Sequence, residues 1–265
     1  MALEFSIVIN MIFHLVLFFV FGAAIGSFLN VVINRVTQGE SLLGRSYCDH
    51  CRATLVAIDL IPIISFVGLR ARCRFCKKKI SWQYPFVEAV TGVLFALSFW
   101  VLADSGKLSL GVLMLYFFLV SIFIVVAAID TLYSLIPTSL VFMAALVTLF
   151  YNYFAFESVT FVVNIIAAFV LAISFLMIVV ATRGRGMGTG DVPLVFLIGL
   201  VCGWPGSFVA IFLAFVVGGL VSVVLLFAGA KKIGQTIPFA PFLVFGTLSF
   251  LLFGNQIIEW YLRSI

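Results

Sequence analysis

The sequence predicts an all-α, polytopic membrane protein of about eight transmembrane helices, with one small zinc-binding cytoplasmic insertion after the first helix. Three observations predict it. Apolar residues fill 65% of the 265 positions and charged residues only 9%, too few to keep a soluble surface hydrated. The apolar residues fall in long runs, most of them near the roughly 20 residues that a bilayer crossing requires. A single polar stretch, residues 35–84, carries four of the five cysteines as two C-x-x-C pairs.

The first run covers residues 8–33. The small residues Gly22, Ala23, Ala24 and Gly26 suggest a signal-peptide cleavage region, but the segment before the run carries Glu4 and no Lys or Arg, while Arg35 follows it. A signal peptide has the opposite polarity, so this helix is expected to be retained with its N-terminus outside. After the insertion, runs follow at 85–103, 108–128, 138–155, 159–181, 192–204, 207–229 and 238–257. The run at 192–204 is too short for a full span and is expected as a short helix, a re-entrant segment or a continuation of its neighbour. Gly203, Trp204, Pro205 and Gly206 behind it read as a turn. The expected organisation is a first helix (1–34), a cytoplasmic zinc knuckle (35–84) and a transmembrane domain (85–265).

Basic residues orient the chain, because Lys and Arg beside span ends stay in the cytoplasm. With the insertion inside, Arg35, Arg45, Arg52, Arg70, Arg72, Arg74 and Lys77 to Lys79 are cytoplasmic, and alternation adds Arg183, Arg185, Lys231 and Lys232. Only Lys107 and Arg263 of the 15 basic residues fall outside. Both termini are then expected on the outer side. The net charge of +5 is a topology signal, and no nucleic-acid partner is expected.

The insertion is too short to bury a core unaided. Cys48 and Cys51 form one pair, Cys73 and Cys76 the other, with 21 residues between them. That spacing lets four thiolates converge on one Zn2+. Two disulfides are the alternative, disfavoured in a reducing compartment; a redox-active C-x-x-C would need only one pair. His14, His50 and Cys202 are expected to be packing residues or bystanders.

Ionisable residues at membrane depth are costly and therefore candidate functional groups. Three stand out: Glu88, Asp130 and Asp191. Asp130 closes the third run in IDTLYSLIP, and Asp191 opens the sixth in GMGTGDVPL. Two carboxylates brought together share a proton, so that one activates water while the other protonates a carbonyl, as in peptide hydrolysis without a metal. Gly184, Gly186, Gly188 and Gly190 are expected to permit unusual backbone conformations and close approach beside Asp191. The competing structural reading makes Asp191 a helix N-cap followed by a first-turn proline.

The ordered set of GxGD (Gly188 to Asp191), Asp130, the twin C-x-x-C, GSFLNVVINR (Gly26 to Arg35), ISWQYPFVE (Ile80 to Glu88) and IPFAPFL (Ile237 to Leu243) resembles the bacterial prepilin peptidases over nearly the whole chain. The resemblance implies an inner-membrane enzyme. It would cut the basic leader of type IV prepilins or type II secretion pseudopilins after a glycine at the cytoplasmic face, then methylate the new N-terminal amine with S-adenosylmethionine. It further implies Asp130 and Asp191 as the catalytic pair, Gly188 and Gly190 as their supporting loop, and Cys48, Cys51, Cys73 and Cys76 as zinc ligands. Gly26, Asn30, Arg35 and Glu88 fall in the half tied to methyl transfer. The chain departs from the family's usual residues at Pro193 (commonly lysine), Thr138 (asparagine) and Ala240 (glycine). A peptidase without methyl transfer, and a transporter relaying protons through the aspartates, are the rival readings.

Overall fold

In hydrocarbon every backbone N–H and C=O must be satisfied within the protein, which for this chain means helices. The computed structural model describes residues 2–229 and 237–263; Lys231 and Lys232, used above for orientation, lie outside them. Its helices are α1 (Ala2–Gln38), a five-residue α2 (Ile64–Gly68), α3 (Gln83–Asp104), α4 (Leu110–Tyr133), α5 (Thr138–Ala155), α6 (Ser158–Ala181), α7 (Asp191–Phe227) and α8 (Ala240–Arg263). Six of them, α1 and α3 to α7, are long and apolar enough to cross a membrane, and α8 contributes a shorter apolar stretch, Ala240–Gly254.

The runs at 192–204 and 207–229 are joined in α7, whose 37 residues would span about 55 Å at 1.5 Å per residue. That is nearly twice a hydrocarbon core. Gly203 (φ 60°, ψ −168°) and Trp204 (φ −93°, ψ 136°) break it into two segments, so the described residues hold about eight apolar helical segments. The expected turn narrows to these two residues, and helix resumes at Pro205. Two buried asparagines satisfy the groups the break exposes: Asn152 Nδ2 donates to the Leu200 carbonyl at 2.8 Å, and Asn164 Oδ1 accepts the Trp204 N–H at 3.2 Å.

Residues 1–125 and 126–265 form two compact units. In the first, α1 packs along α3 through small residues. A Cβ on Gly22 would lie 2.8 Å from the Thr91 carbonyl, and one on Gly26 would lie 2.7 Å from Glu88 Cα. Phe95 and Phe117 stack at 4.1 Å beside this seam. In the second, α7 packs against α6 and α8, so closely that a Cβ on Gly246 would overlap the Ala210 carbonyl oxygen. Close backbone approach of this kind carries helix association where no hydrophobic gain separates protein from lipid. Gly246→Val therefore forces α8 off α7 and is expected to cost about 1–3 kcal/mol, whereas Gly219→Val, which meets nothing within 4 Å, changes little. Unfolding of both variants in mixed micelles checks this.

Candidate active site

The IDTLYSLIP segment ends α4 at Tyr133, where Ser134 turns left-handed (φ 53°) and donates its N–H to the Asp130 carbonyl at 2.8 Å. This leaves the Asp130 side chain in the last turn, 6% exposed, with Oδ2 accepting the Ala240 N–H at 3.0 Å. The donor is an otherwise unpaired amide at the start of α8.

Asp191 is the first residue of α7, and Gly190 occupies the cap position. Its carboxylate, 6% exposed, folds back and accepts the Gly188 N–H on Oδ2 at 3.2 Å. It therefore holds the glycine loop and does not cap the helix from the N-cap position. Among the four loop glycines only Gly184 is left-handed, at φ 73°. Gly190 supplies space: a Cβ there would lie 3.0 Å from Ile136 Cβ. Pro193 sits in the first turn of α7, where a missing N–H removes no helical bond.

Asp130 and Asp191 thus come from opposite helix ends into one compact unit. Each has Oδ2 tied to a backbone amide. The sequence offered no sign of the Ala240 amide as a partner, because a backbone donor leaves no residue signature.

The four insertion cysteines converge. Their Sγ atoms all lie within 4.8 Å of one another, with Cys48 and Cys76 at 3.9 Å, and none forms a disulfide. The two pairs sit in similar knuckles. Cys48 N–H donates to Ala53 and Arg52 N–H to Cys48, while Cys73 N–H donates to Lys78 and Lys77 N–H to Cys73. Arg52 (φ 57°) and Lys77 (φ 60°), each following the second cysteine of a pair, are left-handed. The Cys76 backbone amide holds the Cys73 thiol down to about 7, whereas burial pushes Cys48 up to about 11. Four thiolates around Zn2+ at about 2.3 Å would stand about 3.8 Å apart, so the cluster can hold a metal ion.

Beside the knuckles, in the same unit, lies a cavity of about 450 Å3. Asn30, Arg35, Glu88, Cys48 and Cys73 line it, which brings together most of the residues expected for methyl transfer. Gly26 lies against the backbone of Glu88 and sets its position. Arg35 donates to the carbonyls of Ser41, Leu42 and Arg45 at 3.2, 2.8 and 3.0 Å, pinning the loop that leads into the first knuckle. Glu88 Oε2 accepts the N–H of Ile63 at 2.8 Å, steadying a β-branched residue at φ 61°. Sequence reasoning missed Asp59, which also lines the cavity. The signal was present: a lone acid inside the apolar stretch LVAIDLIPI.

Residues 20–102 match the Bacterial Peptidase A24 N-terminal domain, and residues 117–223 match the Type IV leader peptidase family. Similar curated proteins are the prepilin leader peptidase/N-methyltransferase of Bacillus subtilis strain 168, 31% identical over 92% of this chain and 96% of the relative, and those of Aeromonas hydrophila, 31% over 94% and 93%, and Stutzerimonas stutzeri, 30% over 92% and 92%. No solved structure gives a significant match.

Proposed function

This chain belongs to the type IV leader peptidase family, and from that premise we propose that it removes the leader of type IV prepilins or related pseudopilins and then N-methylates the new terminus. The observation that carries the hydrolytic half is the Asp130 and Asp191 pair, drawn into one unit with Oδ2 of each held by a backbone amide. Those bonds fix the carboxylate planes and leave the Oδ1 atoms for chemistry. One aspartate takes a proton from water as the oxygen attacks the scissile carbonyl, and the other gives its proton to the carbonyl oxygen. The proton taken from water then passes to the leaving amine as the C–N bond breaks. Gly188 and Gly190 keep the approach to Asp191 narrow and free of side chains.

The departure at Ala240 is harmless in this scheme, since the group used is the backbone N–H, and the methyl is fully buried. The metal is zinc, which suits an all-thiolate tetrahedral site; it braces the insertion and takes no part in hydrolysis. S-adenosylmethionine supplies a sulfonium-bound methyl: the N–C bond forms as the S–C bond breaks, the electron pair returns to sulfur, and the amine gives up a proton. Residues 35–84, with neighbouring residues of α1 and α3, serve methyl transfer, while the aspartates belong to residues 85–265. The asymmetry of basic residues supports an inner-membrane protein with both termini outside and the insertion cytoplasmic. A prepilin with its apolar helix in the bilayer and its basic leader in the cytoplasm then offers its scissile bond at the membrane face.

Protein in nanodiscs, incubated with a prepilin and S-adenosylmethionine labelled on its methyl, is expected to yield a shortened pilin labelled at its N-terminus, read by intact-mass spectrometry. A pilin left uncut would overturn the proposal, and a pilin cut but unlabelled would remove its second half.

A further inference from the structure

Residues 57–68 of the insertion are apolar on the outside as well as the inside. Phe66 turns inward, its ring 5.0 Å from that of Trp82. Ile58, Ile61, Ile64 and Val67, each three residues from the next, stand outside. So do Trp82 and Phe86, one helical turn apart at the start of α3. These six side chains are 41–75% exposed, a large apolar face of the kind that marks a contact with a partner or a membrane.

The level of this face is fixed by α3. That helix has the length and apolarity of a span from Gln83 onward, and its 22 residues rise about 33 Å, the thickness of a hydrocarbon core. Glu88 lies in its second turn, and side chains lean toward a helix N-terminus, so the carboxylate stands near the first turn. It accepts the Ile63 N–H at 2.8 Å. This bond holds residues 57–68 beside the mouth of the span, and the exposed face is continuous with the lipid-facing surface of α3.

Cations border the face. Arg72 and Lys79, both exposed, stand opposite each other in an antiparallel bridge, and neither has an acidic partner among the described residues. Like charges set directly opposite repel, and an anion between them relieves the repulsion. Arg70, also exposed, follows α2 by two residues. Arg74 is instead paired with Asp59 at 2.7 Å, which ties the second knuckle to residues 57–60 and brings the cations against the apolar face.

We propose that residues 57–68, with Trp82 and Phe86, form an interfacial anchor that seats the insertion among anionic phospholipids. The apolar side chains enter the boundary between headgroups and acyl chains, and Arg70, Arg72 and Lys79 meet the phosphates. Apolar surface rimmed by cations binds anionic bilayers in this way. The inference concerns how the insertion sits on the membrane and goes beyond both activities proposed above.

Full-length protein in nanodiscs tests it, with a phospholipid that carries a photoreactive group on its acyl chain. One set of discs is neutral phosphatidylcholine and the other adds anionic phosphatidylglycerol. Peptides of residues 57–68 are expected to be labelled in both, and several-fold more in the anionic discs. Ile64→Ser with Val67→Ser is expected to cut that labelling to background, and Arg72→Gln with Lys79→Gln to remove its dependence on phosphatidylglycerol. All four side chains are exposed, and an unchanged metal content checks that the knuckles stay folded. Parent protein in which the label reaches α3 but not residues 57–68, or labels them equally in both discs, overturns the anchor whatever the variants do. Crosslinks from Ile64 to a second copy of the chain, in place of lipid, overturn it too and assign the face to a dimer.

Discussion

Asp130→Ala and Asp191→Ala each lower single-turnover cleavage of a prepilin by about a thousandfold or more, the scale of losing a positioned acid or base. In the proposed mechanism the two side chains act in one concerted step, in which water is activated only if the carbonyl is protonated in the same event. Removing the second carboxylate after the first therefore adds little, and the double variant cleaves at nearly the rate of either single one. The isosteric Asp130→Asn and Asp191→Asn retain an oxygen for the Ala240 and Gly188 amides, so their inactivity separates lost chemistry from lost structure. Because the cysteine cluster and its cavity belong to residues 1–125 and both aspartates to residues 126–265, the aspartate variants still methylate a pilin supplied already cut. Quenched-flow gels and intact-mass readout measure both activities. A single variant that keeps a tenth of the cleavage rate refutes the assignment.

Stripping the metal has the second large effect. The knuckles hold few buried apolar side chains; Cys73 itself and Phe66 are the buried apolar residues between 39 and 82. A structural Zn2+ contributes apparent binding free energy of about 10–16 kcal/mol in small zinc domains, far more than so small a core can replace. Chelation, or Cys73→Ser, is expected to open residues 40–80 to protease, to abolish methyl transfer, and to leave leader cleavage measurable. Metal analysis is expected to find one zinc per chain before chelation. Unchanged protease resistance in metal-free protein would show that the insertion folds without the ion.

Each catalytic candidate was legible for a simple reason. A charge beside hydrocarbon is expensive, so Asp130, Asp191 and Glu88 stand out in a chain that is 9% charged. Two C-x-x-C pairs name a tetrahedral site by spacing alone. Asp59 obeys the same logic as Glu88 and was overlooked because it lies in the insertion and not in a span.

The sequence by itself determined the membrane class, the approximate number of helical segments and the cysteine cluster, and it singled out the two aspartates as candidates. Lipid and charge impose those locally: apolar length sets a span, and ligand spacing sets a knuckle. Only the tertiary structure decided what meets across long separations. It joined two runs into α7 and placed Asn152 and Asn164 where they satisfy the break. It gave Asp130 a backbone partner 110 residues away. It also brought Asn30 and Asp59, 29 residues apart and unremarkable as letters, into the lining of one cavity. Backbone donors and cavity linings have no pattern along a chain, because they are defined by the neighbours that folding supplies or withholds.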